Sequence, residues 1–399
     1  MASVCLYNGT IITGYAVLDN SSVLIEDGII KEIFPDKRFL QSQLNPKPEV
    51  VDLQGAYAAP GFIDTHIHGY GGIGVCDAKY PEPKSESEVV ELMIELSKSL
   101  VKHGLTAFNP TVYPATPQLM LDAIPKIVSA MGKEDGAKIM GLHMEGPFLS
   151  PSRLGVQRPE GRSPVDMNYM EKLWAVSKGS IVNMTVAPEI ENMHELALYC
   201  RKKGIVLQAG HTEAGYEDML KGMQTGIFHA THLFNAMSKL DQRNPNAVGA
   251  ILTHSEMSCE IIADGFHFHP NLFKLLLQNK APDKIVLVTD SLKCTDQQAE
   301  PFFANGEEMV FVDGLFKRKA DSVIAGSAIT MIRGVQNMVK YGFSLENAVK
   351  AASTNPAAVM RYTKKGTIAP GKDADITVFD NNFTVLATMI EGKIRYNNL

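Results

Sequence analysis

The chain contains no CxxC pair, and its five cysteines (Cys5, Cys76, Cys200, Cys259 and Cys294) are scattered and odd in number. That argues against both a disulfide framework and a thiolate zinc site. It has no excess of positive charge. The 38 Lys and Arg against 44 Asp and Glu leave a formal net charge of -6, so neither nucleic acid nor an anionic membrane is an expected partner. An anionic substrate would need a local cluster of positive groups. No apolar run reaches the length of a membrane span. The opening MASVCLYNGTIITG has neither the basic n-region nor the long apolar h-region of a secretory signal. Together these absences lead to the expectation of a cytoplasmic protein with reduced thiols.

What is present is an ordinary globular composition, 45% hydrophobic and 21% charged, over 399 residues. This is enough chain for one large domain and a small second one. The two ends share a texture. VCLYNGTIIT, SVLIEDGIIKEIF and EVVDLQGAYAAP near the start, and GTIAPGKDADITVFD with FTVLATMIEGKIRYN near the end, are strand-like runs broken by Asn-Gly, Asp-Gly and similar turns. The expectation is one small β-domain, discontinuous in sequence, formed by residues 1–58 and 361–399.

Between the ends, short apolar runs alternate with helical-period segments, the pattern of parallel strands joined by crossover helices. Eight runs are readable, at 59–69, 105–114, 137–147, 180–189, 204–212, 226–237, 258–267 and 284–291. Eight is the number that closes a (β/α)8 TIM barrel, here over 59–360. SESEVVELMIELSKSLVKHG is the clearest helix, with a terminal Gly as its stop. The segment 295–323, with its Asp313-Gly314 turn, reads as a hairpin and a candidate lid. AGSAITMIRGVQNMVKYG and SLENAVKAASTNPAAVM read as helices that close the barrel.

The polar residues of these runs gather at their C-terminal ends: His66 and His68, Asn109, Glu145, Glu189, His211, His232, His267 and Asp290. Barrel enzymes build their sites at that rim. His66 and His68 are two apart on a strand and so face the same way. Such a pair at a strand end points to metal binding rather than to two satisfied core histidines. Glu145 in HMEGPF, with His211 and His232, supplies one carboxylate and two imidazoles at the same rim. That set suits Zn2+, Fe2+ or Mn2+ and leaves room for water. Asp290 in LVTDS is read as a general base beside the metal, since a divalent ion lowers the pKa of the water it holds to about 7. His267 in ADGFH is open between ligand, oxyanion donor and substrate contact. His143, two before Glu145, is a candidate support for the ligands. His229 and His269 are read as structural or solvent-facing.

PGFIDTHIHG, GLHMEGPF, AGHT, THLFNAM, ADGFH and VTDS, in this order, resemble the N-acetylglucosamine-6-phosphate deacetylases of the amidohydrolase superfamily. The resemblance implies an α/β fold, a TIM barrel with a small β-sandwich domain made by the N- and C-terminal segments. It also implies a divalent-metal hydrolase of an amino sugar phosphate, with one or two ions per subunit. Glu145, His211 and His232 match the principal ligands, and Asp290 matches the catalytic acid/base. His66 and His68 are kept, which implies room for a second ion. Strand 4 ends VAPE without the lysine that bridges two metals in many relatives, which fits Glu145 in the bridging place. Asn235, Ala236 and Arg243 match the sugar-phosphate contacts, His267 a sugar contact, and Ala325, Gly326 and Ser327 the pocket wall. Gln157 stands where some relatives carry a histidine on the acetyl carbonyl. The resemblance further implies a homodimer in which the neighbouring subunit supplies part of the phosphate site.

Three other readings share this scaffold. An N-acetylgalactosamine-6-phosphate deacetylase would differ at the sugar C4 contact. A D-aminoacylase or cyclic-amide hydrolase would leave FNAM and Arg243 without a purpose. A barrel that had lost activity would be expected to lack the ligand residues.

Overall fold

In a computed structural model, which describes residues 3–41 and 47–399, all eight apolar runs become parallel strands around one ring. Residues 1–2 and 42–46 of the expected 1–58 segment therefore lie outside the described residues. In chain order the strands are Phe62–Ile67, Leu105–Val112, Leu142–Glu145, Ile181–Val186, Val206–Ala209, His229–Ala230, Ser258–Ile262 and Ile285–Val288, each paired with its neighbour. The seam between the last and the first is closed just past the strand end. The Asp290 N–H donates to the His66 carbonyl at 2.8 Å, and the His68 N–H to the Ser291 carbonyl at 3.0 Å. Asp64, fully buried, reinforces the seam by accepting the Thr289 hydroxyl at 2.6 Å. The closure that completes the ring thus also fixes His66, His68 and Asp290 relative to one another.

The helices pack outside the ring by the usual apolar stripe. In Glu86–Leu100 the buried positions include Val89, Met93, Leu96 and Leu100, a helical spacing. Ser85 and Glu88 form a capping box at its start, and Gly104, at φ 82, ends the extension Val101–His103. Inside the ring the layer beneath the rim is polar rather than the usual Val, Ile and Leu. Asn109, His143, Asn183, Thr185, Gln208, Thr231 and Glu260 are all buried there and hydrogen-bonded to one another.

The two ends of the chain meet in a second, mixed sheet of eight strands. Tyr57–Pro60 runs antiparallel to Ile376–Phe379, so the GKDAD-containing segment sits directly on the chain that enters the barrel. This sheet has its own core, including Leu6, Ile11, Val23, Ile25, Ile30, Ile376 and Val378. GKDAD also makes the joint between the two parts. Asp375 and Lys365, both buried, form an ion pair that Asp373 joins at 3.2 Å, and the Asp375 carbonyl accepts the Gly61 N–H at 2.8 Å.

Two local expectations need correction. The segment after strand 8 is a three-stranded antiparallel sheet, Phe302–Ala304, Glu307–Val312 and Leu315–Arg318, not a single hairpin. Its first turn, Asn305-Gly306, has both residues at positive φ, as does Asp313-Gly314, the backbone that twisted hairpins require. The AGSAIT part of the expected helix is not helical; the helix is Met331–Lys340. Ser327 is instead held extended, its N–H on the Asp290 carbonyl at 2.8 Å and its carbonyl accepting the Leu292 N–H at 3.2 Å. Those tertiary bonds outweigh a modest helix propensity.

The ion pair at the joint gives a stability test. Asp375→Ala leaves Lys365 buried without its main partner and should cost about 3–5 kcal/mol, read from urea unfolding. Lys365→Met combined with Asp375→Leu should recover part of that loss, but not all, because the Glu391 N–H bonded to Asp375 at 2.8 Å also loses its acceptor. A single variant within about 1 kcal/mol of the parent would contradict this role, given the cost of an uncompensated buried charge.

Candidate metal centre

Glu145 ends the third barrel strand with both carboxylate oxygens facing imidazoles. Oε1 lies 3.0 Å from His211 Nε2, 3.3 Å from His232 Nε2 and 3.4 Å from His66 Nε2; Oε2 lies 3.4 Å from His68 Nε2. Asp290 Oδ1 faces the same pair of rings from the other side, 3.2 Å from His68 and 3.5 Å from His66. All six side chains are buried. The arrangement is two three-ligand groups, His66–His68–Glu145 and Glu145–His211–His232, that share one carboxylate.

The hydrogen bonds around this cluster test whether a cation fits. His211 Nδ1 lies 2.8 Å from the Arg153 carbonyl, which can only accept, so that nitrogen carries the proton. The Nε2 lone pair of a neutral ring then points inward, at Glu145 Oε1 and at His232 Nε2, 3.2 Å away. His66 Nδ1 likewise faces the Glu260 carboxylate at 3.1 Å, and its Nε2 is buried with no hydrogen-bond partner. Lone pairs aimed at one another across these distances repel unless positive charge lies between them. Four ligands about 2.0–2.2 Å from a tetrahedral ion would be roughly 3.3–3.6 Å apart, close to what is seen. The donor set fits a divalent ion.

The electrostatics agree. Burial opposes ionisation of Glu145, but the His211, His232 and His66 rings outweigh it and hold the carboxyl well below its ordinary range. Burial also opposes ionisation of Asp290, but the neighbouring His66 and His68 rings outweigh it and hold the carboxyl below its ordinary range. Asp290 is therefore a carboxylate able to accept a proton. Three of these residues have left-handed backbone, His211 at φ 48, His232 at φ 26 and Asp290 at φ 49. Such strain in non-glycine residues concentrates at functional sites. Tyr113 lies flat on His68, ring centroids 3.6 Å apart and planes 2° off parallel, which fixes that ring's orientation.

The centre opens into a cleft of about 430 Å3 whose wall includes Tyr113, Gln157, Asn235, Ala236, His267 and Ser322 to Gly326. Gly326 lies against Asp290, and a Cβ there would run into the Asp290 carbonyl and stand 3.1 Å from its Oδ1. Gln157 turns its amide nitrogen to Glu145 Oε2 and leaves its own oxygen buried without a partner. His267 is held at both nitrogens, by Asp264 at 2.6 Å and by the Ala325 carbonyl at 2.8 Å. A larger concavity of about 890 Å3 opens where the strands begin, beside Arg201, Lys284, Lys350 and Arg361. Neither candidate cation cluster lies there, so the chemistry belongs to the smaller cleft.

Other residues named from the sequence stand off the cleft wall. Arg243 is exposed and outside the cleft wall, its N–H on Asp241 at 2.8 Å. Ser327 is fully buried behind the wall, its hydroxyl on the Thr289 carbonyl. Glu189 does not reach the centre, but accepts the Thr212 hydroxyl and the Glu213 N–H, tying the loop after strand 5. Asn109 is inside the ring, bonded to Asn183 and Tyr362. His143 meets Thr111 and Thr185 and packs edge-on against His66, at a centroid distance of 4.5 Å. His229 is buried, bonded to Ser258 at 2.8 Å, and His269 is exposed.

Residues 57–395 match the model of the amidohydrolase family. The chain belongs to the amidohydrolase family. Among amidohydrolases it is 30% identical to N-acetylglucosamine-6-phosphate deacetylase of Bacillus subtilis, over 99% of this chain and 97% of that one. It is 31% identical to the Haemophilus influenzae protein of the same name, over 98% and 99%. A solved N-acetylglucosamine-6-phosphate deacetylase from Pasteurella multocida superposes with a TM-score of 0.89 at 28% identity, covering 99% of this chain and all of that one. Amidohydrolases are metal-dependent, in keeping with the donor set at the rim.

The His267 clasp has a pH signature. Burial works against its charged form, but the hydrogen bond and charge of Asp264, the charge of Asp290 and the Ala325 carbonyl outweigh it and raise its pKa above the ordinary value. A raised histidine stabilises the fold fully below its unfolded pKa of about 6.5. That contribution is lost as pH climbs through the higher folded value. Melting temperature against pH should therefore fall less steeply on the alkaline side for His267→Gln than for the parent. Parallel curves would contradict the clasp.

Proposed function

We propose that this chain hydrolyses the acetamido group of N-acetyl-D-glucosamine 6-phosphate, giving D-glucosamine 6-phosphate and acetate. The observation that carries the reading is the pairing of a cation site with the carboxyl group of Asp290, 3.2 Å from His68 Nε2, on one cleft wall. The relatives' names supply the substrate class.

Glu145, His211 and His232 would hold the principal divalent ion, and His66 and His68 with Glu145 a second; Zn2+, Fe2+ and Mn2+ all suit them. A bound divalent ion supplies Lewis-acid polarisation of the acetyl carbonyl and makes the attacking water more acidic. Asp290 takes a proton from that water as its oxygen attacks the carbonyl carbon. Collapse breaks the carbon–nitrogen bond, and Asp290 returns the proton to the leaving amine. Gln157, on the cleft wall with its amide nitrogen turned to Glu145, faces the acetamido group as a substrate contact.

The backbone at Asn235 and Ala236 meets the sugar phosphate from the cleft wall. Arg243, exposed outside that wall, is given to the phosphate by the resemblance, as a guanidinium suited to bidentate binding of phosphate oxygens. His267 presents its ring edge to the sugar, and Ala325 and Gly326 bound the pocket, with Ser327 bracing them from behind. The same reading carries a homodimer working in the cytoplasm. Among the described residues no helix is long and apolar enough to cross a membrane.

The test is acetate release by the metal-loaded protein from the two epimeric N-acetylhexosamine 6-phosphates. The gluco epimer should be the better substrate, and removal of metal by a chelator should abolish turnover. Asp290→Asn should lower kcat by about 10²–10⁴-fold with metal content unchanged. Preference for the galacto epimer would overturn the substrate assignment, and turnover by Asp290→Asn within a few-fold of the parent would overturn the role of Asp290.

A further inference from the structure

Glu260 is a charged side chain in the middle of the seventh barrel strand, Ser258–Ile262, with no exposure to solvent. A carboxylate in such a place is costly unless its oxygens are used. Both are used. Oε2 takes the Nδ1–H of His66 at 3.1 Å and the backbone N–H of His232 at 3.3 Å, while Oε1 takes the Gln208 amide at 3.1 Å. His66 and His232 belong to different imidazole pairs of the cation site, so one buried carboxylate braces both. Glu260 is not on the cleft wall and touches none of the reacting groups.

We propose that Glu260 is a positioning residue for the cation site, holding His66 in the tautomer whose Nε2 lone pair is presented to the ion. A carboxylate cannot donate, so His66 Nδ1 must carry the proton. That leaves Nε2 as the acceptor, buried without a hydrogen-bond partner 3.4 Å from Glu145 Oε1 and 3.5 Å from Asp290 Oδ1. Without Glu260 the two ring nitrogens would compete for the proton, and a ring protonated at Nε2 cannot ligate. Partners of this kind behind a ligating histidine are worth about 10–100-fold in metal affinity. The inference rests on the proposed cation site.

The experiment is Co2+ titration of the metal-free protein, followed by visible absorption, in the parent, Glu260→Gln, His66→Ala and the double variant. The glutamine has the same size but only one acceptor oxygen for donors that now occupy two. Glu260→Gln should lose about 10-fold or more in Co2+ affinity and shift the absorption bands. The same change in the His66→Ala background should cost clearly less, because the ring it orients is gone and only the backbone contact behind His232 remains. Parent-like affinity in Glu260→Gln overturns the inference. So does an equal loss in both backgrounds, which would mean general weakening of the barrel. Circular dichroism checks the fold of each variant. Should Glu260→Gln not fold, Glu260→Asp, which keeps the charge but retracts it by one methylene, is compared in the two backgrounds with the same expectation. A parent chain that takes up no Co2+, Zn2+ or Mn2+ removes the cation site itself, whereas intact binding that is indifferent to Glu260 removes only this inference.

Discussion

The carboxylate of Glu145 faces three imidazole Nε2 atoms within 3.4 Å of Oε1 and a fourth at 3.4 Å from Oε2. His211 has committed its proton outward to Arg153 and His66 to Glu260, so the Nε2 lone pairs of both rings face Glu145 Oε1. A cation between them relieves that repulsion. Its site ties together features that otherwise look separate: the polar layer inside the ring, the left-handed backbone at three site residues, and the carboxylate at the end of strand 8. Each either orients a lone pair toward the centre or holds a negative group beside it.

The barrel serves this centre mechanically. His66, His68 and Asp290 lie at the seam where the last strand meets the first, and the bonds that complete the ring are made by these residues and their immediate neighbours. Loosening the seam would move two imidazoles and the Asp290 carboxyl group together. The terminal β-domain is coupled to the same strand. Asp375 grips Gly61, one residue before strand 1 begins, so the pairing of the two chain ends bears on where His66 stands.

Much of this was legible in the residues themselves. Strand periodicity, the count of eight, and polar residues falling at the strand ends depend on local pattern, and all eight strands lie within the runs read from it. The spacing of His66 and His68 by itself dictates a shared face. What local pattern did not carry was set by contacts between distant segments. Glu260 sits among apolar neighbours in SCEII, and its purpose is visible only once His66, 194 positions away, lies against it; a lone charge in an otherwise apolar strand was the available clue. AGSAIT reads as a helix because nothing local announces that Ser327 will be captured by Asp290 and Leu292. Tyr113 carries no local signal of its own, and its part in the site is visible only with His68 stacked on it. Arg243 and Ser327 were placed by resemblance alone, and neither stands on the cleft wall.

The central claim is that one shared carboxylate organises a divalent-cation cage at the rim of this barrel. The most direct measurement is anomalous diffraction from crystals of the Zn2+-loaded protein. The account predicts an ion about 2.0–2.2 Å from a Glu145 oxygen and from Nε2 of both His211 and His232. Zinc bound only elsewhere, or at the rim with Glu145 uncoordinated, would contradict it.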